Sequence, residues 1–295
     1  MLAATTTLGQ DFACQWIRCP NADSGDGVWF NRLYTDTIRP VEAFLTVSSE
    51  GFAEVLVNNR NISVHYPTAR QGVITTATYD ITRFLRADSN IIAVEYFPTS
   101  TANEGRQLSL SIYGRDGRGR TFAQTADETW ICRPSARHLC EDGSAIIDGQ
   151  RMLTPWRWIV TDTALWVTAD RYQPTSSLPR QVIDEWSSTP RPYAIEEQRY
   201  FDNVADSTWY DYGRGFIGYL RATLRDAKPG MRVHFDDITY ICNGQMDEQV
   251  ITKFGPRPFR RVKVWCDTSF DRSIIQTLEA IKTGLQSPPA MFRKR

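Results

Sequence analysis

Residues 41–97 read VEAFLTVSSEGFAEVLVNNRNISVHYPTARQGVITTATYDITRFLRADSNIIAVEYF. Four β-rich runs lie inside this stretch, at Val41–Val47, Phe52–Val57, Ile62–Tyr66 and Ile91–Phe97. Val41, Ala43, Leu45 and Val47 alternate with other residues, as do Ala53, Val55 and Val57, and then Ile62, Val64 and Tyr66. Apolar residues at period two mark half-buried strands, because successive side chains point to opposite faces. Asn58-Asn59-Arg60-Asn61 supplies residues that tolerate positive φ, so the second and third runs are expected to pair as a hairpin. A short turn over Tyr79–Leu85 feeds the last run through Asp88-Ser89-Asn90. Together these features predict an antiparallel sandwich.

Outward from this stretch the pattern extends both ways. Upstream, Trp29-Phe30-Asn31-Arg32-Leu33-Tyr34 follows a loop of turn residues and opens the sandwich. Downstream, Gln107–Tyr113 is another alternating strand, and Gly114–Arg120 (GRDGRGR) is a turn. Its three glycines do not make a phosphate cradle, which needs a strand before it, a helix after it and a different glycine spacing. Residues 127–194 hold Trp130, Trp156, Trp158, Trp166 and Trp186, punctuated by Pro174, Pro179, Pro190 and Pro192. Those prolines argue against long helices; two strands are expected within Thr154–Thr168 and a short helix at Leu178–Trp186. From Ile195 the β pattern resumes through Phe216–Leu224, Met231–Phe235 and Arg261–Trp265, with Asp226–Gly230 as a hairpin turn. Near the end, Asp271 is suited to cap a helix whose Ile274, Ile275, Leu278, Ile281 and Leu285 follow helical spacing. The expectation is therefore an all-β chain of two antiparallel, jelly-roll-like β-sandwich modules with a short C-terminal helix. The modules fall at 12–126 and 195–270, with a Trp/Pro-rich connecting segment at 127–194 and the helix at 271–285.

The 295 residues balance 34 basic against 34 acidic side chains, so no net field draws the chain to nucleic acid. No apolar run approaches the ~20 residues of a bilayer span. The start, MLAATTTLGQDFACQW, lacks a basic n-region and an apolar h-region, so no signal peptide is expected. Localisation stays open between the cytoplasm and an exported protein whose leader has been removed. Six cysteines fit no zinc spacing. Buried thiols are the simplest reading, with Cys14/Cys19 and Cys132/Cys140 near enough in sequence to bridge in an oxidising compartment.

Catalytic chemistry finds little support. The three histidines, His65, His138 and His234, form no His-Glu-x-x-His or His-x-His pairing, so neither a metal site nor a catalytic triad is expected. Asp184–Glu185, Glu196–Glu197 and Asp236–Asp237 are adjacent pairs. Neighbours on a strand point to opposite faces, whereas a glycosidase dyad must face itself across ~5–9.5 Å. The aromatic residues carry more. Sugar rings stack their apolar faces on tryptophan and tyrosine, and Trp156, Trp158, Trp209 and Tyr210 are the candidates. Core packing is the alternative use of each.

The order of motifs resembles the non-catalytic N-terminal region of bacterial α-L-rhamnosidases, glycoside hydrolase family 78. Trp16-Ile17, Phe30-Asn31-Arg32-Leu33-Tyr34, Tyr79-Asp80-Ile81-Thr82 with Leu85 and Asp88-Ser89-Asn90, and Asp127 with Trp130 fall where that family has similar residues. Further on, Tyr210-Asp211-Tyr212-Gly213-Arg214, Gly218-Tyr219 and Phe259-Arg260-Arg261-Val262 are similar to its next sandwich. Asn58-Asn59 loses the family's hairpin glycine, and Phe235-Asp236-Asp237 departs from its Tyr-Gly-Glu type run. The family's acid and base carboxylates lie in a following (α/α)6 barrel, and 30 residues follow Trp265 here. Twelve helices would need at least ~130 residues, so no catalytic residue is expected in this chain. The resemblance implies a carbohydrate-binding or accessory protein for a plant or microbial glycan, rhamnose-containing ones among them. A partner catalytic subunit or a second copy is compatible with it. The alternatives are a truncated glycosidase and a structural module without ligand. Some modules of this kind bind rhamnose with calcium through an Asp-Asn pair; no pair here matches, and calcium is left open.

Overall fold

The computed structural model describes residues 15–35, 38–63, 69–152, 154–160, 162–183, 190–267 and 271–284. Strands carry the fold, joined by turns and short 3-10 segments, and no α-helix occurs among the described residues.

The first sandwich sets a five-stranded sheet against part of a larger one. Its order is Arg180–Ile183, Ile74–Asp80, Pro40–Ser49, Ser109–Asp116 and Thr121–Thr125. Ala43, Leu45, Val47, Leu110 and Ile112 from this sheet meet Val28, Phe30, Val55, Val57, Ile92 and Val94 from the other in one core. The period-two pattern points Ala43, Leu45 and Val47 inward as expected, while Val41 is exposed. Asn58 and Asn59 take φ of 50° and 62°, and Gly51–Val57 turns back through them onto Arg60–Asn61. Val64, His65 and Tyr66 lie outside the described residues. Gly114–Arg120 is the hairpin region between Ser109–Asp116 and Thr121–Thr125.

Two strands depart from simple alternation. Ile74–Asp80 (ITTATYD) has few apolar residues, and hydroxyl pairs join it to Pro40–Ser49. Thr46 Oγ1 lies 2.8 Å from Thr78 Oγ1, and Ser48 Oγ 2.8 Å from Thr76 Oγ1. Ser89–Pro98 is buried on both faces: Ile92, Val94 and Tyr96 face the first core, and Ala93 packs with Trp29, Leu56 and Trp156 behind it.

The connecting segment 127–194 contributes strands of its own to the large sheet. Ile131–Leu139 pairs with Asp26–Thr35 on one side and Ala145–Asp148 on the other. Thr154–Arg157 is a 3-10 turn, with Val167–Thr168 a short strand after it. The helix expected at Leu178–Trp186 is replaced by the strand Arg180–Ile183, which runs parallel to Ile74–Asp80; residues 184–189 lie outside the described residues.

The second sandwich is built on the 18-residue strand Ser207–Leu224, flanked by Arg257–Cys266, Ile275–Gly284, Tyr200–Val204 and Glu248–Ile251. Arg232–Phe235 does not pair with this strand across Asp226–Gly230. It forms a hairpin with Ile238–Ile241 through Asp236-Asp237, where Asp236 has φ of 52°. Leu220, Ala222, Val233, Phe235, Val262, Val264, Leu278 and Ala280 fill the core.

The terminal helix expected at 271–285 is absent. Asp271 does cap, its carboxylate accepting from the Ser273 amide at 2.8 Å, but the capped element is a single 3-10 turn, Arg272–Ile274. The chain continues as the strand Ile275–Gly284 between Arg191–Glu197 and Ser207–Leu224. Spacing alone was ambiguous here, because Leu278 and Ala280 also fit a strand's inner face while Ile281 packs beside Tyr219 on the other. Ile275, Thr277, Ile281 and Thr283 are β-branched, and a long partner strand offers a full ladder of hydrogen bonds.

Two features lock the halves together. Ala145–Asp148 pairs in parallel with Ile238–Ile241, so one continuous sheet runs through both cores. Beside it, the Lys253 ammonium bridges Glu54 and Glu95, the latter at 2.6 Å, while Arg137 lies 3.4 Å from Glu95. Next in sequence, the Phe254 ring stacks on Phe97 at 5.4 Å and also meets Phe52. Burial pushes the Glu95 carboxyl up, but Lys253 and Arg137 outweigh it and hold the group below the ordinary carboxylate range.

Candidate functional site

Directly opposed residues in an antiparallel sheet share a face. Along Ser207–Leu224, Tyr210 sits between Phe201 and Val262 and faces the core, whereas Trp209 and Asp211 lie on the opposite face, Asp211 only 5% exposed beneath its neighbours. Opposite them stand Lys263 and Arg261 on one neighbouring strand, and Asp202 and Tyr200 on the other. Gly213 and Gly215, with φ of 69° and 81°, form a bulge just beyond Asp211 that bends the strand there.

This outer face is a connected polar and aromatic surface. The Tyr200 hydroxyl donates to Asp211 Oδ2 at 2.9 Å and the Gly213 amide to Oδ1 at 2.7 Å. Arg261 lies over the Trp209 ring at 5.1 Å and reaches both Asp202 and Asp211, at 3.3 and 3.5 Å. The Gly213 amide foremost, then Tyr200 and Arg261, hold the Asp211 carboxyl below the ordinary carboxylate range against the opposing effect of burial. Such a carboxylate stays ionised near neutrality, which suits it to accept hydrogen bonds and not to give up a proton.

One step further across the sheet, Trp265 opposes His234, and the two rings stack at 4.8 Å with 13° between their planes. Lys263 lies 5.0 Å from the centre of the Trp265 ring. His234 Nε2 is 2.6 Å from Asp267 Oδ1 and Nδ1 is 3.0 Å from Thr239 Oγ1. A neutral imidazole satisfies both contacts by donating from Nε2 to the carboxylate and accepting from the threonine hydroxyl at Nδ1. The result is a half-buried row of rings with fixed donors and acceptors beside them, the combination that saccharide recognition requires.

The four aromatic candidates from the sequence therefore separate. Tyr210 is only 1% exposed and lies in the second core. Trp156, 5% exposed, stacks on Trp29 at 5.8 Å with 9° between the rings. Neither can meet a sugar without unpacking a core. Trp158 and Trp209 remain accessible, on different parts of the surface. Trp158 is 50% exposed, and its backbone is fixed: the buried Asn31 amide donates to the carbonyls of Trp156 and Trp158 at 2.9 and 3.0 Å. Trp265, His234, Asp211 and Arg261, which share this face with Trp209, are not among the sequence candidates. The signal was present in Arg261-Val262-Lys263-Val264-Trp265, where the valines alternate inward and the other three residues point out.

Of the histidines, His138 sits away from this face with Nδ1 2.8 Å from Asp26 Oδ1. Among the described residues no group of three or more His, Cys, Asp or Glu side chains is arranged to hold a metal ion. Cys19, Cys132, Cys140, Cys242 and Cys266 are free thiols. No helix among the described residues is long and apolar enough to cross a membrane.

No protein-family model and no curated protein matches the sequence. Solved structures do match in fold. The α-L-rhamnosidase of Dictyoglumus thermophilum superposes with a TM-score of 0.77 at 15% identity, over 93% of this chain and 36% of that one. The enzyme of Aspergillus terreus gives 0.73 at 16% identity, over 94% and 36%. That of Streptomyces avermitilis, solved with L-rhamnose, gives 0.74 at 16% identity, over 90% and 29%. This chain thus has the fold of about one third of an α-L-rhamnosidase, the β-sandwich portion.

Proposed function

We propose that this chain is a carbohydrate-binding or accessory β-sandwich of the α-L-rhamnosidase type. The observation that carries the proposal is the outer sheet face, where Trp209, Trp265 and His234 lie among Arg261, Asp211, Asp202 and Tyr200. Pyranose rings offer C–H faces to indole and hydroxyls to charged side chains, and planar guanidinium and carboxylate groups serve vicinal hydroxyls in pairs. A glycan array followed by isothermal titration of the best ligand tests it. Trp209→Ala, which removes a half-buried outward ring and leaves the core face intact, is expected to weaken that ligand at least tenfold. Unchanged affinity in Trp209→Ala and Arg261→Ala would remove the face from consideration.

A second reading, that the chain belongs to a working glycosidase, draws support from the rhamnosidase structures, of which it spans about one third. Turnover of an aryl α-L-rhamnoside by the pure protein would favour it. Absence of turnover together with glycan binding supports the accessory role.

A further inference from the structure

Behind the first sandwich, on the surface that carries Trp158, three arginines stand without acidic partners. Arg133 lies directly across from Trp29 in the sheet, its guanidinium 5.9 Å from the Trp29 ring centre. Trp29 in turn stacks on Trp156, and Arg157 closes the turn Thr154–Arg157 immediately before the exposed Trp158 in sequence. Arg151 ends the short turn Gly149–Arg151 and lies close enough to Arg133 for their charges to repel. Among the described residues, no carboxylate lies within ion-pair distance of any of the three. The Nε–H groups of Arg133 and Arg157 are buried and have no acceptor.

Other arginines divide between aromatic rings and carboxylates: Arg18, Arg83 and Arg272 lie over Tyr172, Phe84 and Phe201, and the Nε–H of Arg272 is also buried without an acceptor. Arg32, Arg106, Arg120, Arg137, Arg171, Arg221, Arg225 and Arg257 all face carboxylates. Buried donors in folded proteins are nearly always satisfied, so the Nε–H groups of Arg133 and Arg157 call for an acceptor, which an oxyanion supplies. Burial and Arg151 both push the Arg133 guanidinium down from its ordinary range, which is the mark of uncompensated positive charge. Beside these donors, Trp158 offers a half-exposed ring on a backbone pinned by Asn31. A ligand that fits needs an oxyanion for the arginines and an apolar ring face for the indole.

We infer that this surface is a second saccharide site, selective for pyranoses that carry an oxyanion, a uronate carboxylate or a sulfate ester. The inference rests on the carbohydrate-binding reading and adds a ligand class and a location to it. The oxyanion takes hydrogen bonds from Arg133, Arg151 and Arg157 while the ring stacks on Trp158. Charge-assisted bonds of this kind are shared by carboxylate and sulfate, and are strongest in the fork geometry of arginine.

The test is isothermal titration of the intact chain with three hexasaccharides of one backbone: a β-1,4-glucuronic acid hexamer, neutral cellohexaose and sulfated cellohexaose. Binding of either acidic hexamer at least tenfold tighter than cellohexaose supports the inference, and the stronger of the two identifies the oxyanion. Arg151→Glu, at an exposed position, should keep the parental melting temperature and lose acidic-hexamer affinity by about tenfold or more, the scale of one charge-assisted hydrogen bond. Trp158→Ala should lose it similarly, and Trp209→Ala should not. Equal binding of all three hexamers, or parental affinity of Arg151→Glu and Arg157→Ala for the acidic ones, overturns the anionic site. If the array ligand still depends on Trp209 in that event, the broader carbohydrate reading stands. No binding of any glycan in either assay defeats both.

Discussion

Substituting Lys253 by methionine removes one charge from the cluster that joins the two cores and keeps the volume of the side chain. In the parent, the ammonium lies between Glu54 and Glu95, and Glu95 is only 3% exposed. Removing one side of a buried ion pair costs about 3–5 kcal/mol, because the remaining charge is left desolvated and uncompensated. Two contacts soften the loss. Glu95 keeps Arg137 at 3.4 Å, and Glu54 keeps the Asn61 amide at 2.9 Å. The expected destabilisation is therefore at the lower end, about 3 kcal/mol. In a chain of this length that corresponds to a fall in Tm of roughly 5 °C. Urea unfolding at neutral pH, with m unchanged, measures it. Adding Glu54→Gln to Lys253→Met should return part of the loss, since the carboxylate with no other cation beside it is then neutral, and the pair should be non-additive in a double-mutant cycle. A cost below ~1 kcal/mol for Lys253→Met, the range of exposed ion pairs, would show that the cluster is solvated and that the argument for a charged clamp is wrong.

The other expectations can be checked with simple measurements. Acidification should weaken the fold through Glu95: its carboxyl is held below the unfolded-state range, so its contribution is fully present above that range and is lost as pH falls through the lower folded value. Glu95→Gln should flatten that part of a plot of stability against pH, and an unaltered acid limb would contradict the assignment. Leu278→Ala, at a fully buried position of the last strand, should cost about 2–5 kcal/mol in urea unfolding; a change under ~1 kcal/mol would mean that Ile275–Gly284 is not seated in the core. In a Cys14→Ser background, a thiol reagent should modify Cys140 in the native protein and reach Cys19, Cys132, Cys242 and Cys266 only after denaturation, because those four are buried. Rapid native modification of all five would refute that burial.

Much of the first sandwich was legible because alternation and turn chemistry agreed. Ala43, Leu45 and Val47 point inward, and the Asn58-Asn59 pair turns with positive φ without the glycine usual at such a position. Ile74–Asp80 escaped notice because hydroxyl pairing to Thr46 and Ser48 stands where apolar alternation would have been visible. The last strand was misread for the opposite reason: its isoleucines and Leu278 satisfied a helical period, and only the ladder offered by the distant Ser207–Leu224 decided the matter. Residue type alone nominated the site aromatics. Whether a tryptophan lies in a core or on a surface depends on which way its strand faces, so Trp209 and its neighbour Tyr210 came out on opposite sides of one sheet.

The parallel pairing of Ala145–Asp148 with Ile238–Ile241 also governs how this chain can be cut. A fragment ending before the second core would strip one flank of Ala145–Asp148 and present unpaired amides and carbonyls next to the apolar side chains of Ile146 and Ile147. Such a border is a template for any extended segment of matching length, another copy of the fragment above all. Excised halves should therefore self-associate by strand addition even where each retains its own core. Soluble single-sandwich versions would need Ile146, whose side chain leaves the core face, replaced by lysine.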